Sequence, residues 1–117
     1  MVTYEITADV TADLATAYER YMRERHIPEI LETGCFQGAV LTRSAPGRYR
    51  IRYEARTEAD LERYLAQHAP RLRADFGSHF PEGVTVSREV WVAVQAWETA
   101  ADRPIDGVGC NSTLPTA

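Results

Sequence analysis

Arg20–Leu31 reads RYMRERHIPEIL, and a near copy, RYLAQHAPRL, occupies Arg63–Leu72. Each stretch contains an Arg-Tyr pair, a long apolar residue, a histidine, and a proline two residues after the histidine. Similar segments, Thr11–Leu14 and Thr57–Leu61, precede the two copies. Because the apolar residues before each histidine recur at helical spacing, the sequence predicts two related helical units.

Strand patterns flank both helical units. Val2–Val10 alternates apolar and polar residues without interruption, which is typical of a half-buried strand. Three further segments are rich in β-branched and aromatic residues, and Ser44–Gly47 provides a turn between two of them. The predicted strands are Val2–Val10, Cys35–Arg43, Arg48–Arg56 and Val84–Trp97.

The helix boundaries follow from capping and breaking residues. Thr11 is a suitable N-cap for a helix from about Ala12 to Ile27, which kinks or stops at Pro28 and restarts as a short turn to Glu32. Gly34 then provides a C-terminal stop. The second helix is predicted to begin after Thr57 and to end near Asp75 or Phe76, before Gly77.

This order, β-α-β-β-α-β, predicts an α+β protein with a ferredoxin-like sandwich: one four-stranded antiparallel sheet with both helices on one face. The predicted domain covers residues 1–98. Residues 99–117 contain Pro, Gly and small polar residues without periodicity, and we expect a flexible C-terminal tail there.

Composition excludes several classes of function. The length of 117 residues fits one domain, and a net charge of −4 argues against a nucleic-acid partner. All 13 basic residues are arginine, so Schiff-base and lysine-base chemistry are excluded. Cys35 and Cys110 have no metal or redox spacing, and we expect neither metal nor cofactor. Without a signal peptide or an apolar run of about 20 residues, we expect a cytoplasmic protein with no membrane partner.

Two histidines and two tyrosines are the candidate site residues. His26 and His68 lie on or beside the apolar helical stripes, with Tyr21 and Tyr64 nearby. One interpretation is a buried histidine hydrogen-bonded to a backbone carbonyl that the nearby proline leaves free. The other is a general base or ligand anchor in a pocket between helices and sheet. The polar face of Arg50, Arg52 and Arg56 offers either ion pairs across strands or an anion site.

The chain also resembles a known family. The run His26–Phe36, HIPEILETGCF, together with Tyr64–Arg73, YLAQHAPRLR, resembles a family of small bacterial proteins catalogued as a domain of unknown function, number four-two-eight-six. The resemblance covers about Val2 to Val94 and implies a ferredoxin-like domain without an assigned activity. More distantly, the layout looks like the dimeric α/β-barrel superfamily, which contains cofactor-independent monooxygenases, isomerases and members without a known reaction.

Two function hypotheses follow. The first is a small-molecule site, with or without catalysis, between helices and sheet. The second is a non-catalytic dimeric binding or interaction module. For either, we predict a homodimer joined through the open face of the sheet, because Trp91, Ala93 and Trp97 point away from the helices. Leu41 or Val40 must join them, and we assign Leu41 to this face.

Overall fold

A computed structural model describes residues 1–99, and these form a four-stranded antiparallel sheet with the helices on one face. The strand order is β2-β3-β1-β4, which confirms the predicted ferredoxin-like sandwich. The predicted tail, 99–117, with Cys110, lies almost entirely outside the described residues. The strands are β1 Val2–Val10, β2 Gly38–Ala45, β3 Arg48–Ala55 and β4 Val84–Val92.

The helical layer is more segmented than predicted. A single 3-10 turn, Ala12–Leu14, leads into the first helical unit, and Met22–His26 forms a π-helical turn within it. Thr11 occupies the predicted N-cap position but makes no side-chain capping bond, whereas the Thr57 hydroxyl accepts the N–H of Asp60 at 3.1 Å. The α-helices are α1 Ala15–Tyr21, α2 Ile27–Glu32, α3 Glu58–Gln67 and α4 Ala69–His79.

The second helical unit is broken at His68, which has φ −121°. Pro70 follows two residues later in the first turn of α4, where a missing N–H is tolerated. The prediction of one continuous helix was therefore wrong. The predicted end before Gly77 was also wrong, because α4 continues through this glycine to His79.

Sheet register determines which side chains meet the helices. Tyr4, Ile6 and Ala8 of β1 face the helical layer, and each pairs with a β3 residue on the same face: Tyr53, Ile51 and Tyr49, respectively. The alternate residues of β1 face the open side. Leu41 pairs with Ile51 and packs against the core. Its assignment to the open face was wrong, because the register places its neighbour Val40 there instead, 57% exposed.

The last strand is shorter than predicted. β4 ends at Val92, although the N–H of Ala93 still donates to the Met1 carbonyl at 3.1 Å. Trp91 pairs with Thr3 and faces the open side, 51% exposed, as predicted. Trp97 lies beyond the strand, so its inclusion in the strand was wrong.

Candidate functional site

A narrow cleft opens between the helical layer and the sheet. It has a volume of about 60 Å³. Its inner surface is formed by buried apolar and tyrosine side chains, and a few polar groups converge on it. This combination is typical of small-molecule sites, although those are usually larger. We call it the His26 cleft; it is lined by Tyr4, Ile6, Tyr18, Met22, His26, Ile30, Ile51, Tyr53, Tyr64, Arg73, Phe76, Val86 and Arg88.

His26 reaches the cleft from the π-helical turn. In this turn the N–H of Ile27 donates to the carbonyl of Met22, five residues earlier. Pro28 lies in the first turn of α2 and has no N–H to donate, so the wider turn accommodates it without ending the helical path. Single π turns occur frequently at functional sites.

The imidazole of His26 packs against two aromatic rings that also contact each other. Its centroid is 5.7 Å from that of Tyr21 and 5.3 Å from that of Phe76. Burial lowers its pKa from 6.5 to about 4. Its Nδ1 is buried and has no hydrogen-bond partner among residues 1–99. The bond to a freed backbone carbonyl, one of the two sequence interpretations, is not made by this atom.

Several tyrosine side chains line the inner part of the cleft. Tyr64 is buried, its ring 6.1 Å from Tyr4, and burial raises its pKa to about 12. Burial also raises the pKa of Tyr18 and Tyr53. These hydroxyls therefore remain protonated near neutral pH and can act as hydrogen-bond donors.

Tyr21, another candidate, lies behind His26 rather than in the cleft. Its hydroxyl donates to Asp75 Oδ2 at 2.8 Å, which holds the pKa of that carboxyl below its usual range. Burial and the same hydrogen bond raise the pKa of Tyr21. Its ring packs on His79 at 4.4 Å and on His26. Tyr21 therefore positions His26.

His68 is not brought together with His26. It lines a separate surface groove, and its Nδ1 lies 3.2 Å from the Arg71 guanidinium. Its ring stacks at 6.4 Å on Tyr64 from the outer side. The repeated motif therefore places one histidine in the cleft and the other at the surface.

Sequence reasoning missed two cleft residues, Arg73 of α4 and Arg88 of β4. Arg73 donates to the Tyr4 hydroxyl at 2.9 Å. Arg88 was detectable, because it occupies an inward-facing position in a row of valines: Val84, Val86, Val90 and Val92. The sequence pattern did not indicate Arg73. The break at His68 changes which residues of α4 point toward the sheet, so helical spacing counted from α3 does not predict them.

The arginines that the sequence did single out lie on the open face. Arg50 and Arg52 each approach the Glu5 carboxylate at 3.8 Å, and Arg56 donates to Gln37 at 3.0 Å. Arg50 and Arg52, but not Arg56, line a hollow of about 700 Å³ whose walls mix charged side chains with small and apolar ones. Cross-strand ion pairs therefore account for Arg50 and Arg52.

Within residues 1–99, no group of three His, Cys, Asp or Glu side chains is arranged to hold a metal ion. No helix in the same range has the length and hydropathy required to cross a membrane.

The family follows from comparison with known sequences. The family model described as "Domain of unknown function (DUF4286)" matches residues 1–94. The chain belongs to this family. The DUF4286 match therefore includes every residue that lines the His26 cleft. No similar sequence was found among curated proteins.

Solved structures share the fold of this DUF4286 protein at low identity. HapK from Hahella chejuensis has a TM-score of 0.65 and 13% identity, over 86% of this chain and 99% of its own. A dimeric ferredoxin-like protein from an uncultured marine organism has a TM-score of 0.65 and 6% identity, over 85% and 100%. SnoaB, a cofactor-independent oxygenase from Streptomyces nogalater, has a TM-score of 0.59 and 22% identity, over 81% and 94%. At these identities the similarity establishes the ferredoxin-like fold alone.

Proposed function

We propose that this protein binds a small organic molecule in the His26 cleft. The observation that carries the proposal is the buried Nδ1 of His26, which has no partner among residues 1–99. An unpaired buried polar atom costs about 1–3 kcal/mol, and such atoms are rare in folded proteins. Nδ1 is enclosed in the described arrangement, so a ligand in the cleft supplies the missing hydrogen bond once the imidazole reorients toward it.

The chemistry of the cleft favours binding over proton abstraction. With a pKa of about 4, His26 is neutral at pH 7 and offers one N–H and one lone pair. The same low pKa makes it a weak general base, since effective bases have pKa values near the working pH. The protonated tyrosines add donors, and Ile51 and Met22 add apolar surface.

Ligand-observed NMR with a library of small organic molecules tests this function, comparing the wild type with His26→Leu. We expect the substitution to weaken binding by about tenfold or more. The melting temperature should stay the same or rise, because an apolar side chain of similar size replaces an unpaired polar one.

His68→Leu is the matched control, because His68 occupies the same motif but lies outside the cleft. It should leave binding unchanged. The proposal is wrong if the library yields no saturable ligand, or if His26→Leu binds the same ligands with the affinity of the wild type.

The predicted homodimer remains a proposal that a separate observation supports. The open face carries Trp91 and Val40, each more than half exposed, and no described helix covers it. Glu5, at the centre of the face, is already paired with Arg50 and Arg52. A second copy packed on this face removes the apolar surface from water without leaving the Glu5 charge unpaired. One structural neighbour is described as a dimeric ferredoxin-like protein, which supports a homodimer without indicating which face forms it.

A further inference from the structure

Arg88 is placed where an apolar residue is expected. It pairs with Ile6 of β1 and faces the helical layer, between Val86 and Val90 on the same face of β4. The side chain is exposed, and it forms no ion pair with a carboxylate of residues 1–99. The guanidinium is therefore free of partners within the described chain and is available to a ligand at the open side of the cleft.

Arg73 approaches the same cleft from the opposite layer. One of its terminal nitrogens donates to the Tyr4 hydroxyl at 2.9 Å, which fixes the direction of the side chain. Arg73, too, forms no ion pair with a carboxylate of residues 1–99. Its remaining N–H groups are available, and a guanidinium has five in all.

Both guanidinium groups act on Tyr64, and Arg88 also acts on His26. Burial raises the pKa of Tyr64, and the charges of Arg73 and Arg88 both oppose that rise. The charge of Arg88 also adds to the burial that lowers the pKa of His26. The cleft thus has two cations from opposite layers, a neutral imidazole, and no described carboxylate in its lining.

We infer that the ligand of the His26 cleft is a short-chain organic carboxylate, held by Arg73 and Arg88 and hydrogen-bonded to His26. This inference rests on the proposed binding function. Planar guanidinium groups match the geometry of a carboxylate and can bind it through paired hydrogen bonds. The attraction of the carboxylate comes from these two arginines alone, because a chain with a net charge of −4 does not attract anions as a whole.

The size of the cleft limits the body of this acid. About 60 Å³ is less than half the volume of an engineered apolar cavity that admits benzene, about 150 Å³. At this volume the cleft favours a short aliphatic acid, whose carboxylate stays at the open side with the arginines, over an acid with an aromatic ring. A hydroxyl or oxo group beside the carboxylate gives His26 its hydrogen-bonding partner.

Protein-observed NMR titrations test the inference with propionate, lactate, pyruvate and benzoate, and with neutral lactamide. We expect saturable binding of lactate or pyruvate that weakens as salt is added. Lactamide and benzoate should bind about tenfold more weakly or not at all. Arg88→Gln should weaken lactate binding by about tenfold, because an uncharged amide replaces one of two cations.

Arg71→Gln is the matched control: Arg71 is an exposed arginine of α4 that lines the other groove. It should bind lactate like the wild type, and thermal melts should show all variants folded. Lactamide binding as tightly as lactate, or lactate binding unchanged in Arg88→Gln, would overturn the inference and leave the proposed function standing. Absence of saturable binding by the acids and by every molecule of the library would overturn both.

Discussion

At the scale of single residues, His26 and His68 show how one motif leads to two environments. Both follow Arg-Tyr and precede x-Pro, yet only His26 has a nitrogen buried without a partner among residues 1–99. His68 meets Arg71 at the surface. Substituting His68 should therefore cost less stability than removing a core side chain, since both partners remain accessible to water.

The burial of His26 predicts a pH-dependent stability. Its pKa falls from 6.5 to about 4 on folding, so between these values the unfolded chain binds a proton that the folded protein does not. The free energy of unfolding must therefore decrease as pH falls from about 6.5 to about 4, by up to about 3 kcal/mol. The charged or titratable neighbours that act on His26 are Glu29, Asp75, Arg88 and His79.

Urea unfolding of the wild type and of His26→Leu across this pH range measures the effect. Asp75 and Glu19, whose pKa values lie below their usual range, also lose stabilising interactions in acid, but they do so in both proteins. The difference between the two curves isolates His26. If the two curves stay parallel from neutral pH to pH 4, folding does not lower the pKa of His26, and this prediction is wrong.

Sequence reasoning found part of the site because some of its residues lie in regular patterns. His26 and Tyr64 belong to apolar helical stripes, and both reach the cleft. Arg73 and Arg88 were missed for a physical reason: the importance of an arginine depends on what faces it across the fold. That information is absent from the spacing of residues in one segment.

At the scale of elements, the two prolines act differently although their local sequences are similar. Before Pro28 the chain widens into a π turn and the helical path continues; before Pro70 it breaks at His68. Local sequence identified the disturbance at Pro28 but not its form, and it missed the break before Pro70. The form depends on how each segment packs on the sheet, which is why the order of strands was predicted correctly and the helix boundaries were not.

The turn between β2 and β3 offers a matched pair of glycine substitutions. Gly47 has φ +80°, and a Cβ there would lie 2.5 Å from the Val10 carbonyl oxygen. Gly47→Ala should therefore destabilise the fold by about 1–3 kcal/mol. Gly77 lies in α4 with no heavy atom within 4 Å of a Cβ position, so Gly77→Ala should stabilise by about 0.5–1 kcal/mol. Urea unfolding measures both, and equal stability of the two variants would contradict the geometry of the turn.

At the scale of the whole molecule, β4 is the least covered strand. It lies at the edge of the sheet, and it exposes apolar side chains on both faces: Val90 and Val92 on the helical side and Trp91 on the open side. An exposed edge strand with apolar residues tends to associate with another chain. The sequence predicts a homodimer from the position of Trp91, and this stays a prediction. The sequence could not assign Leu41 correctly, because that assignment depends on strand register.

Trp91→Glu tests whether a second copy covers the open face. We expect light scattering at micromolar concentration to give the mass of two chains for the wild type and of one chain for the variant, because a carboxylate that replaces the Trp91 side chain in the contact must lose its hydration. The variant should remain folded, since Trp91 is half exposed and lies outside the core. Ala66→Glu, on an exposed position of α3, is the control and should remain a dimer. A wild type with the mass of one chain would exclude the dimer. A Trp91→Glu variant that still has the mass of two chains would show that the interface lies on another surface.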